Sequence, residues 1–129
     1  MKANELMLGD WVMDGDMPTR VTSITRVGIV ETMRRISNIE VVEPIPITPE
    51  ILEKNGFEKT HCGLNAIIYT FSDDDEYYAL AIDEYTESIW RVEYTNCEMN
   101  FPLVRIMVCS VHELQHALKL CGIEKEIVI

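Results

Sequence analysis

Prolines at 44, 46 and 49 constrain this chain more than any other feature of its sequence. Proline lacks an amide donor and fixes φ, so neither a helix interior nor a central strand can run through Pro44-Ile45-Pro46. The segment reads as a stiff connector that divides the chain. Behind it, Thr48-Pro49-Glu50 opens a helix: threonine caps, proline takes the first helical position, and glutamate favours the positive end of the dipole. Ile51 and Leu52 begin about two helical turns, which Gly56 is placed to end.

Ahead of the connector the signals are those of strands. Trp11–Met13 runs into Asp14-Gly15-Asp16, a tight-turn sequence. Arg20–Val27 alternates, with Val21, Ser23, Thr25 and Val27 on one face and Thr22, Ile24 and Arg26 on the other. Gly28 interrupts, Ile29–Met33 continues, and Asn38–Glu43 predicts a further strand. Four or five short strands within about 40 residues suggest a small N-terminal barrel, SH3-like by fold analogy.

Beyond the connector, Asn65–Phe71, Tyr77–Asp83 and Ser88–Thr95 read as an antiparallel meander of about three strands. The acidic run Asp73–Glu76 then sits at a hairpin tip; it lacks the glycine and ligand spacing of a calcium loop. Leu103–Cys109 is an apolar run that fits a strand or the lead-in to a last helix. That helix runs from Val111 to Cys121, is closed by Gly122, and precedes a short terminal strand over Glu124–Ile129. The expected fold class is α+β. Residues 1–46 form a small β-barrel subdomain and residues 47–129 an antiparallel sheet with two helices, expected to pack as one unit.

A chain of 129 residues that is 47% hydrophobic can bury a core without disulfide or metal staples. Cys62, Cys97, Cys109 and Cys121 form no CxxC pair and are expected to be small buried hydrophobes. The longest apolar run near the N-terminus is three residues, against about seven for a signal peptide and about twenty for a spanning helix. A cytoplasmic protein without a membrane role is the expectation.

Charge narrows the partners. The chain has 11 basic and 22 acidic residues, net −11. After Glu43 the count is 6 basic and 15 acidic, net −9. Nucleic-acid binding draws its affinity from basic side chains, and the nearest candidates are Arg20, Arg26, Arg34 and Arg35. No nucleic acid is expected as a partner; a nucleic-acid-binding barrel using these arginines is the second alternative.

His112-Glu113-Leu114-Gln115-His116 matches H-E-x-x-H, which sets two zinc-binding imidazoles one helical turn apart with glutamate as general base. A minimal zinc hydrolase on His112, His116 and Glu113 is therefore the first alternative. Against it, a catalytic zinc needs a third protein ligand, and Lys119 and Gly122 stand where the extended motif has glycine and histidine. His61 is in no ligand spacing. Ser110-Val111-His112-Glu113 is also a capping box, with Ser110 as cap and Glu113 reaching back to the Ser110 amide. On a helical wheel Val111, Leu114, Ala117, Leu118 and Cys121 share one side, and His112, Gln115, His116 and Lys119 share the other, the expected solvent face unless a second layer covers it. No catalytic residue, metal or cofactor is assigned. The pair Asp83-Glu84 carries no acid–base assignment; Trp11 and Trp90 with Tyr77, Tyr78, Tyr85 and Tyr94 could line a binding surface, though aromatics in strands are more often core.

The opening MKANELMLGDWV, the connector EPIPITPEILEKNGF and the helix V-H-x-L-Q (Val111–Gln115) resemble small uncharacterised proteins of gut anaerobic bacteria and their phages or mobile elements. In that group glutamine often occupies the place of Glu113, and asparagine that of His116. Glutamine keeps a capping box but cannot act as a general base. The resemblance implies no activity. The expected function is thus a non-enzymatic interaction or accessory protein, with a protein partner and an oligomeric state left open.

Overall fold

In this computed structural model, β1 (Trp11–Asp14) and β2 (Met17–Ile24) form a hairpin in which Asp14 faces Met17. Its turn needs a left-handed residue, and Gly15 supplies it at φ +68°. The structure describes residues 5–25, 29–62, 66–72, 78–96 and 101–129. Arg26, Val27, Asp73–Glu76, Tyr77 and Cys97 lie outside them. The chain divides into two compact units. One comprises residues 1–46, 110–112 and 129; the other comprises 47–109 and 113–128.

The first unit is a bent antiparallel sheet. β2 is shared along its length: Met17–Arg20 pairs with β1, and Val21–Ile24 with β3 (Ile29–Thr32). β4 (Ile36–Asn38) and β5 (Val42–Pro44) complete the order β4-β3-β2-β1-β5. The sheet is not closed: among the described residues β4 and β5 remain its two edges. The alternation predicted for β2 breaks at a bulge between Val21 and Ser23. The extra residue changes the parity, so Val21 and Ile24 both face a core of Leu6, Val12, Val30 and Val42.

The strand predicted over Asn38–Glu43 is interrupted by a 3-10 turn at Ile39–Val41. Asn38 causes this: its side-chain oxygen accepts the Glu40 amide at 3.0 Å, a local bond that competes with the ladder. Pro44 ends β5 on the outer edge of the sheet, where a missing donor costs nothing.

The second unit opens with α1 (Pro49–Lys54), capped by Thr48, whose Oγ1 accepts the Ile51 amide at 3.3 Å. Gly56 ends it at φ +84°. Five antiparallel strands follow, more than the meander of about three that hydrophobic alternation suggests: β6 (Glu58–Cys62), β7 (Ala66–Ser72), β8 (Tyr78–Thr86), β9 (Ile89–Asn96) and β10 (Phe101–Val108). Their order is β10-β9-β8-β7-β6, so β10 and β6 are the edges. One face carries the cross-strand row Tyr69, Ile82, Val92 and Ile106. Tyr69 also meets Trp90 in a tilted ring contact at 6.0 Å. The buried side chains of this unit include Leu52, Phe57, Leu80, Val108, Leu114, Ala117, Leu118, Ile123 and Ile127, of which Leu114, Ala117 and Leu118 lie on α2 (Val111–Leu120).

No strand forms over Glu124–Ile129, contrary to expectation. A side chain takes the place of a partner strand there. Asn55 Oδ1 accepts the Val128 amide at 2.8 Å, and Nδ2 donates to the Val128 carbonyl at 2.8 Å and to Ile51 at 2.7 Å. Asn55→Ala removes all three bonds at a buried position and is expected to cost about 2 kcal/mol. Urea unfolding measures that loss, and hydrogen exchange at the Val128 amide should quicken more than at β8 amides.

Candidate functional site

The HELQH segment is shaped by how the chain enters α2. Val111 N donates to the Ile45 carbonyl at 2.8 Å, and Ser110 forms an isolated antiparallel bridge with Pro46. The burial of the next residues corrects the wheel. His112 is buried at 3% exposure, Gln115 is buried, His116 is half-buried, and only Lys119 of that set is exposed. A wheel sorts residues by polarity and does not report burial.

His112 Nδ1 and the buried Ser110 hydroxyl are 3.0 Å apart. Glu113 Oε2 accepts the Cys109 amide at 2.8 Å, one residue earlier than the capping-box spacing predicts. Among the described residues, no three His, Cys, Asp or Glu side chains group as a metal site. The described geometry around His112, Glu113 and His116 is a helix start with a buried imidazole.

The arginines raised as nucleic-acid ligands serve the N-terminal unit. Arg35 grips the fully buried Asp14 carboxylate, with Nη2–Oδ1 at 2.8 Å and Nε at 3.2 and 3.1 Å from the two oxygens. Ser37 Oγ donates to the same carboxylate at 2.8 Å, and Arg34 Nη1 to the Asp14 carbonyl at 2.8 Å. Arg20 lies over the Trp11 ring at 5.3 Å. Arg26 is outside the described residues. The cysteine expectation also needs correcting: Cys109 is exposed and Cys121 half-buried, with burial pushing the Cys121 thiol up. Cys109 directly follows the edge strand β10. No described helix is long and apolar enough to cross a membrane.

What sequence reasoning missed is a groove of about 400 Å³ in the second unit, between β10 and α2. Ile106, Met107 and Val108 line it from the strand; Glu113, His116, Ala117 and Leu120 line it from the helix. The helical residues recur at three- and four-residue spacing, so they share one face. That periodicity was available in the sequence, but nothing local says that an edge strand faces it. Met107 and Leu120 remain 46% and 71% exposed, an apolar lip on an edge. The outer face of the sheet carries an ion-pair ladder: Arg91–Asp83 at 2.6 Å, Arg91–Glu93 at 3.7 Å and Arg105–Glu93 at 2.8 Å.

No protein family, curated protein or solved structure matches the chain.

Two predictions follow from these side chains. If Glu113 serves as a cap, Glu113→Ala costs about 1 kcal/mol while Glu113→Gln, which keeps an acceptor, is nearly neutral in chemical denaturation. The second concerns acid. Hydrogen bonds from Arg35 hold the Asp14 carboxyl below its usual range, outweighing the upward push of burial. Its folded value therefore lies below its unfolded one, near 3.9. The contribution is complete above about pH 4 and is lost as pH falls through the lowered value. Melting temperature against pH should show a steep acid limb in wild type and a flatter one in Asp14→Asn.

Proposed function

We propose that this chain is a non-enzymatic interaction module, acting in the cytoplasm as an accessory protein of phage or mobile-element character. One observation carries the reading: the groove between β10 and α2, with Met107 and Leu120 exposed along it. Concave, mostly apolar sites with a few polar groups are where proteins take up partners. Here the polar groups are Glu113 and His116. An SH3-like reading of the N-terminal unit accompanies this one. Five short antiparallel strands bent about a small core support it, as an open form of the barrel.

The test is affinity capture from the native host with the full chain and its Leu120→Glu variant. Because Leu120 is largely exposed, the substitution should change stability by no more than about 0.5 kcal/mol. The expected outcome is a partner that binds wild type stoichiometrically and is lost with Leu120→Glu. One zinc ion per chain in untagged protein, lost in His116→Ala together with a hydrolytic activity, would replace the module with an enzyme.

A further inference from the structure

The two edges of the five-stranded sheet are finished differently. β6 shows solvent three exposed polar residues in succession, Glu58, Lys59 and Thr60. Charged and polar side chains of this kind are how edge strands avoid pairing with other chains. The described side chains of β10 are Val104, Arg105, Ile106, Met107 and Val108, with one charge among them. That strand pairs with β9 on one side, and among the described residues no strand occupies the other.

The groove lies beside this same edge. Along β10 the register sets Val104, Ile106 and Val108 opposite Tyr94, Val92 and Trp90, on the core face. Arg105 and Met107 stand opposite Glu93 and Arg91, on the outer face. A strand added to β10 continues the pleat, so alternate side chains enter the groove beside Ile106 and Val108 and meet His116, Ala117 and Leu120. The space is bounded by one strand and one helix, which suits a single extended segment.

Charge selects the segment further. The outer face pairs opposite charges between neighbouring strands, Asp83 of β8 with Arg91 of β9 and Glu93 of β9 with Arg105 of β10, and the row ends at β10. Arg105 is 55% exposed and gives its Nε to Glu93. With Arg105 the last charge of this row and largely exposed, a carboxylate is the complementary group on a strand laid beyond β10. The net charge of −11 does not forbid this, because exposed charges beyond about 8 Å are screened at physiological ionic strength.

Resting on the interaction-module reading, we propose that β10 accepts an extended peptide segment as an added strand. The segment carries apolar side chains toward the groove on one face and a carboxylate opposite Arg105 on the other.

The test uses the isotopically labelled full chain and an acetylated, amidated heptapeptide of alternating valine and threonine, with glutamate at the central threonine position. Amide shifts should be confined to β10 and α2. N-methylating alternate peptide residues in one register should weaken binding about tenfold or more, and in the other register less than about twofold, since only one set of amides faces β10. Changing the peptide glutamate to lysine should weaken binding to wild type, and Arg105→Glu should reverse that preference. Equal effects of the two methylation registers, or shifts elsewhere, overturn strand addition. An unchanged preference with Arg105→Glu overturns the carboxylate. If the peptide fails while a host partner is still lost with Leu120→Glu, strand addition falls and the module stands; if that partner is also retained, both fall.

Discussion

The corner at which β10 becomes α2 decides what the second unit can present. It is pinned by one charge-assisted bond, from the Cys109 amide to the Glu113 carboxylate at 2.8 Å. A carboxylate in the first turn satisfies an amide that the helix cannot, and it sits at the positive end of the helix dipole. With the corner fixed, helical periodicity allots the faces. Leu114, Ala117 and Leu118 are buried, while Glu113, His116 and Leu120, with the edge of Ala117, line the groove. The groove is thus a consequence of where the helix begins.

Charge in this acidic protein is placed by two distinct rules. In the N-terminal unit Asp14 is buried outright and matched by Arg35 and Ser37. An ionised carboxylate there is tolerable only because its oxygens are occupied, and removing a partner leaves a charge without water. Arg34 and Arg35 are thereby committed to one aspartate and its carbonyl, which weakens the case for a basic face. On the second sheet the paired groups are half-buried, Arg105 alone being exposed, and partly solvated pairs of this kind are individually worth little. Their value lies in order: opposite charges in cross-strand positions favour one register over a slipped one.

The parts of the fold legible in the sequence were those specified by neighbouring residues. Thr48, Pro49 and Gly56 write the start and stop of α1 within nine positions, and the structure follows them. Asp14-Gly15-Asp16 likewise holds its turn within three. Failures came where a distant group intervened. β6 has no apolar alternation to reveal it and exists as a strand by pairing with β7. The C-terminal segment is strand-like in composition, yet its backbone partner is the side chain of Asn55, 73 positions away. The bulge in β2 turned Ile24 inward without altering any local propensity.

The HELQH motif shows the same division between spacing and surroundings. A separation of four residues stacks two side chains on one helical face, and that is all the pattern guarantees. Metal binding further requires both imidazoles to be open to a common point. Here His112 is buried with its Nδ1 3.0 Å from the Ser110 hydroxyl, while His116, one turn later, is half-buried and lines the groove. The two histidines therefore occupy different environments despite their spacing. The glutamate between them, the general base of the enzymatic reading, is the group that holds the helix to the strand it follows. Around the motif the described side chains are a buried imidazole, a carboxylate bonded to the Cys109 amide and an imidazole on the groove wall.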